Sequence, residues 1–335
     1  MSASDPAPGA WAPRVRFVVV AWGRSEGLER GLEAIAAVAA AGVDLETVVV
    51  LRPGDPAAAD ARARRARVIE PEAGAPFTPG ANRNRGAAGA TAPYFAFVDG
   101  DAVIEPSFVV AALARLDVEP ALGGVGGRIH ERQWEDGALV REIADSYRSG
   151  SGGPVEMLAT AWIARRAWFE AVGGFDARLP AEEDVELCIR LADAGHPVVA
   201  LDLRAAYHDG PPRPSLAEFR RRWATGLYAG QGLLLRYSWG TPNFARHLAR
   251  QGLYFAALGF ALLGAFLALA TVLGVRRAPA TFRDWLTLAV LVVGIMAVRK
   301  RSLAAGALAI ATWIVLGLGI VRAWIAGPRP PETVG

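Results

Sequence analysis

Residues 94–101 read Tyr-Phe-Ala-Phe-Val-Asp-Gly-Asp, an apolar run that ends in two acids with a glycine between them. Such a run predicts a strand, and Asp99 and Asp101 would emerge together at its carboxyl end. Mg²⁺ and Mn²⁺ take oxygen ligands and often combine one or two carboxylates with phosphate oxygens of a substrate. An ordinary strand that ends in a turn, with no metal site, would carry the same residues. The rest of the chain has to decide between the two interpretations.

The composition describes a chain with room for a large core. Its 335 residues suffice for one large or two ordinary domains. Cys188 is the only cysteine, which excludes an intramolecular disulfide and a cysteine-based zinc site. The formal net charge is only +3, and Lys300 is the only lysine, so nearly every cation is an arginine. The distribution of these arginines along the chain is therefore more informative than their total.

Strands and helices alternate in the first part of the chain. Residues 16–22 form a continuous apolar run, which predicts a strand buried on both faces of a parallel sheet. Apolar residues then recur at helical spacing from residue 25 to 41, and Ser25 can cap that helix. Further strands are predicted at residues 45–51, 67–70 and 122–129. This alternation predicts an α/β fold.

Residues 77–88 carry arginines and asparagines at the start of a predicted helix that leads into the Asp99 strand. Arginine and asparagine side chains at a helix start can bind a nucleotide, a sugar or a phosphate through forked hydrogen bonds. A solvated helix cap would have the same composition. This segment alone does not separate the two interpretations.

Three motifs in a fixed order resemble those of the family 2 glycosyltransferases of GT-A fold. They are Ala-Asn-Arg-Asn-Arg-Gly at 81–86, Asp-Gly-Asp at 99–101, and Gly-Gly-Phe-Asp at 173–176 followed by Glu-Glu-Asp at 182–184. The joint order is more specific than any single motif, and it covers roughly residues 15–210. The resemblance implies a GT-A sandwich with a mixed, mostly parallel sheet. It also implies inverting transfer of a sugar from a nucleotide-sugar donor, assisted by Mg²⁺ or Mn²⁺.

The resemblance also implies roles for the acidic residues. Asp101 would hold the cation, Asp99 would place the cation or the ribose, and His208 would be a third metal ligand, in a loop after a strand at 198–201. An inverting transfer needs a base that takes the proton of the acceptor hydroxyl, and Asp184 fits that role with Glu183 in support. Acids at a helix start are also favoured by the helix dipole alone.

Further residues are assigned to the two substrates by the same resemblance. Those expected at the donor are Ala21, Trp22, Arg24, Arg52, Arg83, Asn84, Asp99 and Gly100. Trp162 and Glu182 are expected on the acceptor side, although an aromatic residue at 162 is equally a core residue. The chain departs from the family in the turns at 21–24 and 51–55, and the second lacks the acid that contacts the nucleobase. The base of the donor therefore stays open.

The carboxyl-terminal part has the composition of a membrane anchor. Residues 252–275 and 302–321 contain no charge and are long enough to span a bilayer, and residues 285–298 form a shorter apolar run between them. Residues 213–250 contain seven arginines and one acid, interleaved with aromatic residues. This pattern suits an anionic bilayer surface as well as nucleic acid, and the span that follows favours the membrane over nucleic acid.

A domain plan follows from these observations. It has a disordered tail at 1–13, a catalytic domain at 14–212, and a basic amphipathic interface segment at 213–251. Helices follow at about 252–275, 282–298 and 302–325, and a tail at 326–335. Three spans place Arg299, Lys300 and Arg301 on the cytoplasmic side of the inner membrane with the catalytic domain, as the positive-inside rule prefers. A two-span hairpin and a soluble helical bundle remain alternatives.

The leading hypothesis is a membrane-anchored glycosyltransferase that acts on a lipid-linked or cell-envelope acceptor. Phe219 stands where processive synthases carry a glutamine before Arg-Trp, which predicts single additions. One alternative is a sugar nucleotidyltransferase, but residues 23–25 lack the glycine-rich, lysine-bearing loop that it would need. The other is a catalytically degenerate membrane scaffold, which is disfavoured because Asp99, Asp101, Asp184 and His208 are retained together.

Overall fold

The computed structural model describes residues 13–22, 26–72, 74–147, 153–211, 216–224 and 226–328. The chain forms two compact units. Residues 1–179 and 183–212 belong to the first unit, and residues 180–182 and 213–334 belong to the second. The first unit contains the β-sheet, and the second is helical.

The first unit is built on one mixed sheet with helices on both faces. Its strands are β1 (Val15–Val20), β2 (Leu45–Val50), β3 (Arg67–Ile69), β4 (Tyr94–Asp99), β5 (Ala102–Ile104), β6 (Gly124–Glu135), β7 (Ala138–Ile143), β8 (Pro154–Val155), β9 (Ala161–Arg165) and β10 (Val198–Gly210). Its helices are α1 (Glu26–Ala40), α2 (Ala57–Ala63), α3 (Pro79–Ala87), α4 (Pro106–Val118), α5 (Arg166–Ala171) and α6 (Glu183–Asp193). The strands follow the order β3-β2-β1-β4-β9-β6-β10-β5, with β7 on β6 and β8 on β10. The expected α/β fold is confirmed.

Alternating side chains of the strands feed two separate cores. In β1, Phe17 and Val19 belong to one apolar cluster, while Val18 belongs to the other with Phe95 and Phe97 of β4. Every residue of β1 is buried, as the continuous apolar run predicted. β1 lies between β2 and β4 in parallel register, and Val20 is paired with Asp99. The carboxyl ends of β1 and β4 therefore lie side by side.

Strand β10 is longer than the sequence predicted. The expected strand ends at residue 201, with His208 in a following loop, whereas β10 continues to Gly210 and contains His208. The pairing of β10 with β6 shifts register between Ala200 and Ala206. The exposed residues Asp202 and Leu203 fall at this irregularity, where Asp202 pairs with Arg128 of β6. They hide the strand pattern in the sequence because a bulge interrupts the alternation of apolar and polar residues.

The second unit contains three long apolar helices that follow shorter ones. The short helices are α7 (Leu216–Ala224), a 3-10 turn (Leu227–Ala229), α8 (Gly230–Ser238) and α9 (Phe244–Arg250). The long ones are α10 (Gly252–Val272), α11 (Ala278–Lys300) and α12 (Leu303–Ala326). By length and composition, all three could cross a membrane. The middle helix is longer than the expected 282–298, because it begins at Ala278 and continues through Arg299 and Lys300.

Glycines let the long helices approach one another closely. A Cβ atom on Gly264 of α10 would collide with the ring of Trp285 of α11. One on Gly306 of α12 would lie 2.7 Å from the backbone nitrogen of Ala297. Small residues at such contacts are typical of helices that pack inside a bilayer, where van der Waals packing drives association.

Candidate active site

Asp99, Asp101 and His208 lie together at one edge of the sheet. One ligand atom from each of the three residues lies within 4.8 Å of the other two. Nε2 of His208 is 3.4 Å from Oδ1 of Asp101. Two carboxylate oxygens and one imidazole nitrogen are a donor set that fits Mn²⁺, and the carboxylates also fit Mg²⁺. The structure thus brings together the three residues that the sequence assigned to a metal.

Backbone contacts hold the turn that carries the two acids. The Gly100 N–H donates to the carbonyl of Val20 at 2.9 Å, and the Asp99 N–H donates to the carbonyl of Thr160 at 2.8 Å. A Cβ atom on Gly100 would collide with the side chain of Ala21. The glycine of the motif is therefore required by the close approach of β1. Ala21 itself is buried and acts through this contact.

The environment of Asp99 raises the pKa of its carboxyl group. Burial is the largest cause, and the neighbouring Asp101 carboxylate acts in the same direction. The Arg83 guanidinium and the His208 ring oppose the rise without cancelling it. The site therefore disfavours two adjacent negative charges, and a bound cation would relieve that repulsion.

Arg83 occupies the centre of a buried ion cluster. Its Nη2 donates to Asp99 Oδ1 at 2.8 Å, and its Nη1 donates to Glu183 Oε1 at 2.6 Å and to Asp184 Oδ1 at 3.4 Å. Only 4% of Arg83 is exposed. Burial lowers the pKa of the guanidinium, but the three acids outweigh that effect and raise the pKa above its ordinary value. Arg83 thus joins the proposed metal carboxylate to the proposed base.

Asn84 holds the loop that precedes α6. Its Nδ2 donates to the carbonyl of Phe175 at 2.8 Å, and its Oδ1 accepts from the Phe175 N–H at 2.9 Å. Gly174 has a left-handed backbone, and a Cβ atom there would lie 2.7 Å from Asn84 Oδ1. The side chain expected at the donor therefore fixes the Gly-Gly-Phe-Asp segment in this structure.

Trp22 and Arg52, exposed after β1 and β2, form an aromatic and cationic group with the half-buried Phe77, which precedes α3. The rings of Trp22 and Phe77 meet edge to face with centroids 5.8 Å apart. The guanidinium of Arg52 lies 5.2 Å from the Phe77 ring centre. Phe77 was not singled out in the sequence, because its partners follow other strands. Arg24, also expected at the donor, lies outside the described residues.

The two residues expected on the acceptor side lie in different settings. Trp162 is 1% exposed and packs against Phe97, with ring centroids 5.4 Å apart, so its ring is part of the core. Glu182 has a φ of 69°, a left-handed backbone that is uncommon for a residue with a side chain. Its Oε1 accepts from Gln231 Nε2 at 3.2 Å within the second unit.

The sequence did not single out Asp209, which follows His208 in β10. Its carboxylate accepts hydrogen bonds from Arg132, Trp134 and Arg30. Burial raises the pKa of this carboxyl, but the hydrogen bonds from these three residues outweigh burial, so that the pKa lies below the ordinary value. The available signal was a charged residue directly beside a candidate metal ligand.

Comparisons with known proteins agree with this architecture. A family model described as "Glycosyltransferase like family 2" matches residues 13–226. The structure resembles that of the mannosyltransferase PcManGT from Pyrobaculum calidifontis, solved with GDP-Man and Mn²⁺, with a TM-score of 0.63 and 16% identity. That match covers 95% of this chain and 89% of the other. A weaker match joins it to residues 1–349 of S. aureus TarS with UDP-GlcNAc, with a TM-score of 0.48, 16% identity and 69% of each chain covered.

No curated protein matches the sequence. The family model nonetheless spans the whole sheet, from β1 to β10, and includes the three motifs around Asp99, Asp184 and Arg83. The structural likeness to PcManGT extends the agreement to the fold of nearly the whole chain. The chain belongs to the family 2 glycosyltransferases, and it has the mixed, mostly parallel α/β sheet of the GT-A fold.

Proposed function

We propose that this glycosyltransferase moves a sugar, with inversion, from a nucleotide-sugar to a lipid-linked or cell-envelope acceptor at the cytoplasmic face of the inner membrane. The observation that carries the proposal is the Arg83 cluster, which ties Asp99 of the metal group to Asp184. One arginine thus positions both the group that would bind the diphosphate and the group that would activate the acceptor.

The donor would bind at the carboxyl ends of β1, β2 and β4. The aromatic faces of Trp22 and Phe77, with Arg52 beside them, suit a nucleobase, since flat rings stack on bases. Asp99, Asp101 and His208 would hold Mg²⁺ or Mn²⁺ against the diphosphate. A cation there supplies Lewis-acid stabilisation of the charge that develops on the leaving phosphate.

Asp184 would act as the general base. As the acceptor oxygen forms its bond to the anomeric carbon, the bond from that carbon to the diphosphate breaks, and the hydroxyl proton passes to a carboxylate oxygen of Asp184. Attack from the face opposite the diphosphate inverts the anomeric centre. Glu183, held at 2.6 Å by Arg83, would keep the guanidinium neutralised while Asp184 takes up the proton.

The acceptor is inferred from the second unit. Trp239 is 65% exposed and Trp223 is 37% exposed, and Arg220 beside Trp223 is also exposed. Indole rings and arginines of this kind favour the headgroup level of an anionic bilayer. We infer that residues 213–251 lie on the inner leaflet and that α10, α11 and α12 span the membrane, with Arg299, Lys300 and Arg301 inside.

A donor panel tests the proposal most directly. The purified full-length protein in detergent, given Mn²⁺ and a series of nucleotide sugars, should slowly hydrolyse one of them and release the nucleoside diphosphate. Adding a lipid extract should raise that turnover and give a labelled glycolipid. If no donor is bound or hydrolysed with either cation, the enzymatic proposal is wrong.

A variant separates the base from the donor site. Asp184→Asn should lower the rate of transfer by about 10²–10⁴-fold, the range for loss of a general base. The affinity for the donor should stay nearly unchanged, because Asp184 faces the acceptor in this scheme. A collapse of donor binding in Asp184→Asn would instead assign Asp184 to the donor. Equilibrium binding of the nucleotide sugar, measured by calorimetry, distinguishes the two.

A further inference from the structure

Asp209 lies in β10 directly after His208, at the edge of the proposed metal site, and only 7% of it is exposed. We propose that Asp209 is a positioning residue that holds His208 and Asp101 in the geometry needed to bind the divalent cation. This inference rests on the metal site proposed above. It assigns a role to a charged cluster that the sequence motifs do not include.

The Asp209 carboxylate is fully engaged by side chains from two other elements. Arg132 of β6 donates from Nε to Oδ1 at 2.7 Å and from Nη2 to Oδ2 at 3.1 Å. Trp134 Nε1 donates to Oδ1 at 3.1 Å, and Arg30 Nη2 of α1 donates to Oδ2 at 2.7 Å. A forked arginine bond fixes both position and orientation, which a single hydrogen bond does not. The cluster therefore joins α1, β6 and β10 at one residue.

The backbone of Asp209 connects this cluster to both metal ligands. Its N–H donates to the carbonyl of Asp101 at 3.0 Å. His208, its neighbour, is paired with Ala102, which follows Asp101. Since successive side chains of a strand point to opposite faces, fixing Asp209 on one face sets the direction of His208 on the other.

Arg132 also fixes the strand one residue before His208. Its guanidinium lies 4.3 Å from the centre of the Tyr207 ring, and Arg204 lies at the same distance from that ring. Tyr207 and Asp209 therefore hold β10 on either side of His208. A histidine held in this way loses little conformational freedom when it binds a cation, and partners of metal ligands typically contribute 10- to 100-fold to affinity.

Mn²⁺ binding to the full-length protein in detergent tests the inference. Electron paramagnetic resonance gives the dissociation constant, and the ¹⁴N modulation of the spin echo reports an imidazole ligand. Asp209→Asn should weaken Mn²⁺ binding roughly 10- to 100-fold and reduce the ¹⁴N modulation. Trp134→Phe and Arg30→Met each remove one hydrogen bond from Asp209 and should weaken Mn²⁺ binding roughly 2- to 10-fold. These two variants test the inference if Asp209→Asn does not fold.

Glu46→Gln is the matched control. Glu46 accepts a hydrogen bond at 2.6 Å from the buried Arg16, near the amino ends of β1 and β2. The Glu46→Gln substitution should alter thermal stability without changing Mn²⁺ affinity or the ¹⁴N modulation. An unchanged Mn²⁺ affinity in a folded Asp209→Asn protein would overturn the inference and leave the metal site standing. The same conclusion would follow if Glu46→Gln lost as much Mn²⁺ affinity as Asp209→Asn. A wild-type protein that binds no Mn²⁺ would overturn the metal site and the inference together.

Discussion

Two buried ion clusters flank the Asp99, Asp101 and His208 group, and they are built with opposite signs. On the α3 and α6 side, one cation, Arg83, lies among three acids. On the α1 and β6 side, one acid, Asp209, lies among two arginines and an indole. Arg83 is 5% exposed at its side chain and its partner Glu183 is 6% exposed, whereas Arg30 is 39% exposed. The first cluster is sealed at its central cation and Glu183, although Asp99 at its rim is 29% exposed, whereas the second opens to water at Arg30.

That difference in exposure predicts which cluster contributes more to stability. A charge that loses its partner can be rehydrated only where water reaches it, so a sealed cluster tolerates the loss of its centre poorly. The acids around Arg83 would repel one another without the guanidinium, while the arginines around Asp209 could turn to solvent. The stability of the fold should therefore depend more on the cluster around Arg83 than on the cluster around Asp209.

Loss of the central cation is the largest expected effect. Arg83→Met should lower the free energy of unfolding by about 3–5 kcal/mol, because it leaves buried carboxylates uncompensated. Asp209→Asn should lower it by only about 1–3 kcal/mol. Thermal melting of both variants in the same detergent compares them. Equal losses would contradict the distinction between a sealed and an open cluster.

Gly100→Ala tests the turn between the clusters and should rank second. The new methyl group would collide with Ala21, so the turn or the end of β1 must shift, at a cost of about 1–3 kcal/mol. The shift would also move Asp99 and Asp101 apart, so Mn²⁺ affinity should fall together with stability. Gly153→Ala, at a loop position without positive φ where a Cβ atom meets nothing within 4 Å, is the comparison for the cost of replacing a glycine that has room for a methyl group. Unchanged metal binding in Gly100→Ala would show that the turn tolerates a side chain.

A smaller effect is expected when one acid of the sealed cluster loses its charge. Glu183→Gln keeps an oxygen that can accept from Arg83 Nη1, and Asp99 and Asp184 remain as counter-charges. We expect a loss of about 1 kcal/mol, measured by chemical unfolding in detergent. A loss as large as that of Arg83→Met would mean that Glu183 alone neutralises the arginine.

The partly exposed pair of Asp176 and Arg178 gives the smallest effect and a dependence on pH. Burial raises the pKa of Asp176, but its hydrogen bonds with Arg178 outweigh burial and lower the pKa below the ordinary value. A carboxyl with a depressed pKa in the folded state adds stability above its unfolded pKa, and that stability is lost as pH falls through the folded pKa. The difference in melting temperature between wild type and Asp176→Asn should therefore stay constant above about pH 5 and shrink as the pH falls below about 4. A difference that does not shrink at low pH would contradict the assignment.

The strands around the site could be predicted because their apolar runs are local. The run at 94–98 and the acids after it identify β4 and its end, and the helix start at 77–88 is found where Thr78 caps α3. The turns at 21–24 and 51–55 depart from the family pattern. In the described part of these turns, Trp22 and Arg52 both contact Phe77.

The partners of buried charges could not be predicted in the same way. Asp209 meets Arg132 across 77 residues and Arg30 across 179 residues, and no local pattern connects them. Arg83 was expected to face the donor, since the sequence shows its charge but not the acids that the fold brings to it. Register and long-range pairing decide such contacts, and a single sequence carries neither directly.

The partners of Arg83 also set an order of events during synthesis. Glu183 lies 100 residues beyond Arg83, and β9, which joins β4 to β6, is made only shortly before it. A nascent chain that has not reached α6 holds an arginine in an apolar setting with Asp99 as its only acid from this cluster. The first unit can therefore close only after α6 and the following strand β10 have left the ribosome, and α10 follows after a few short helices. Slow translation between β10 and α10 would give the sheet time to form before the apolar helices emerge.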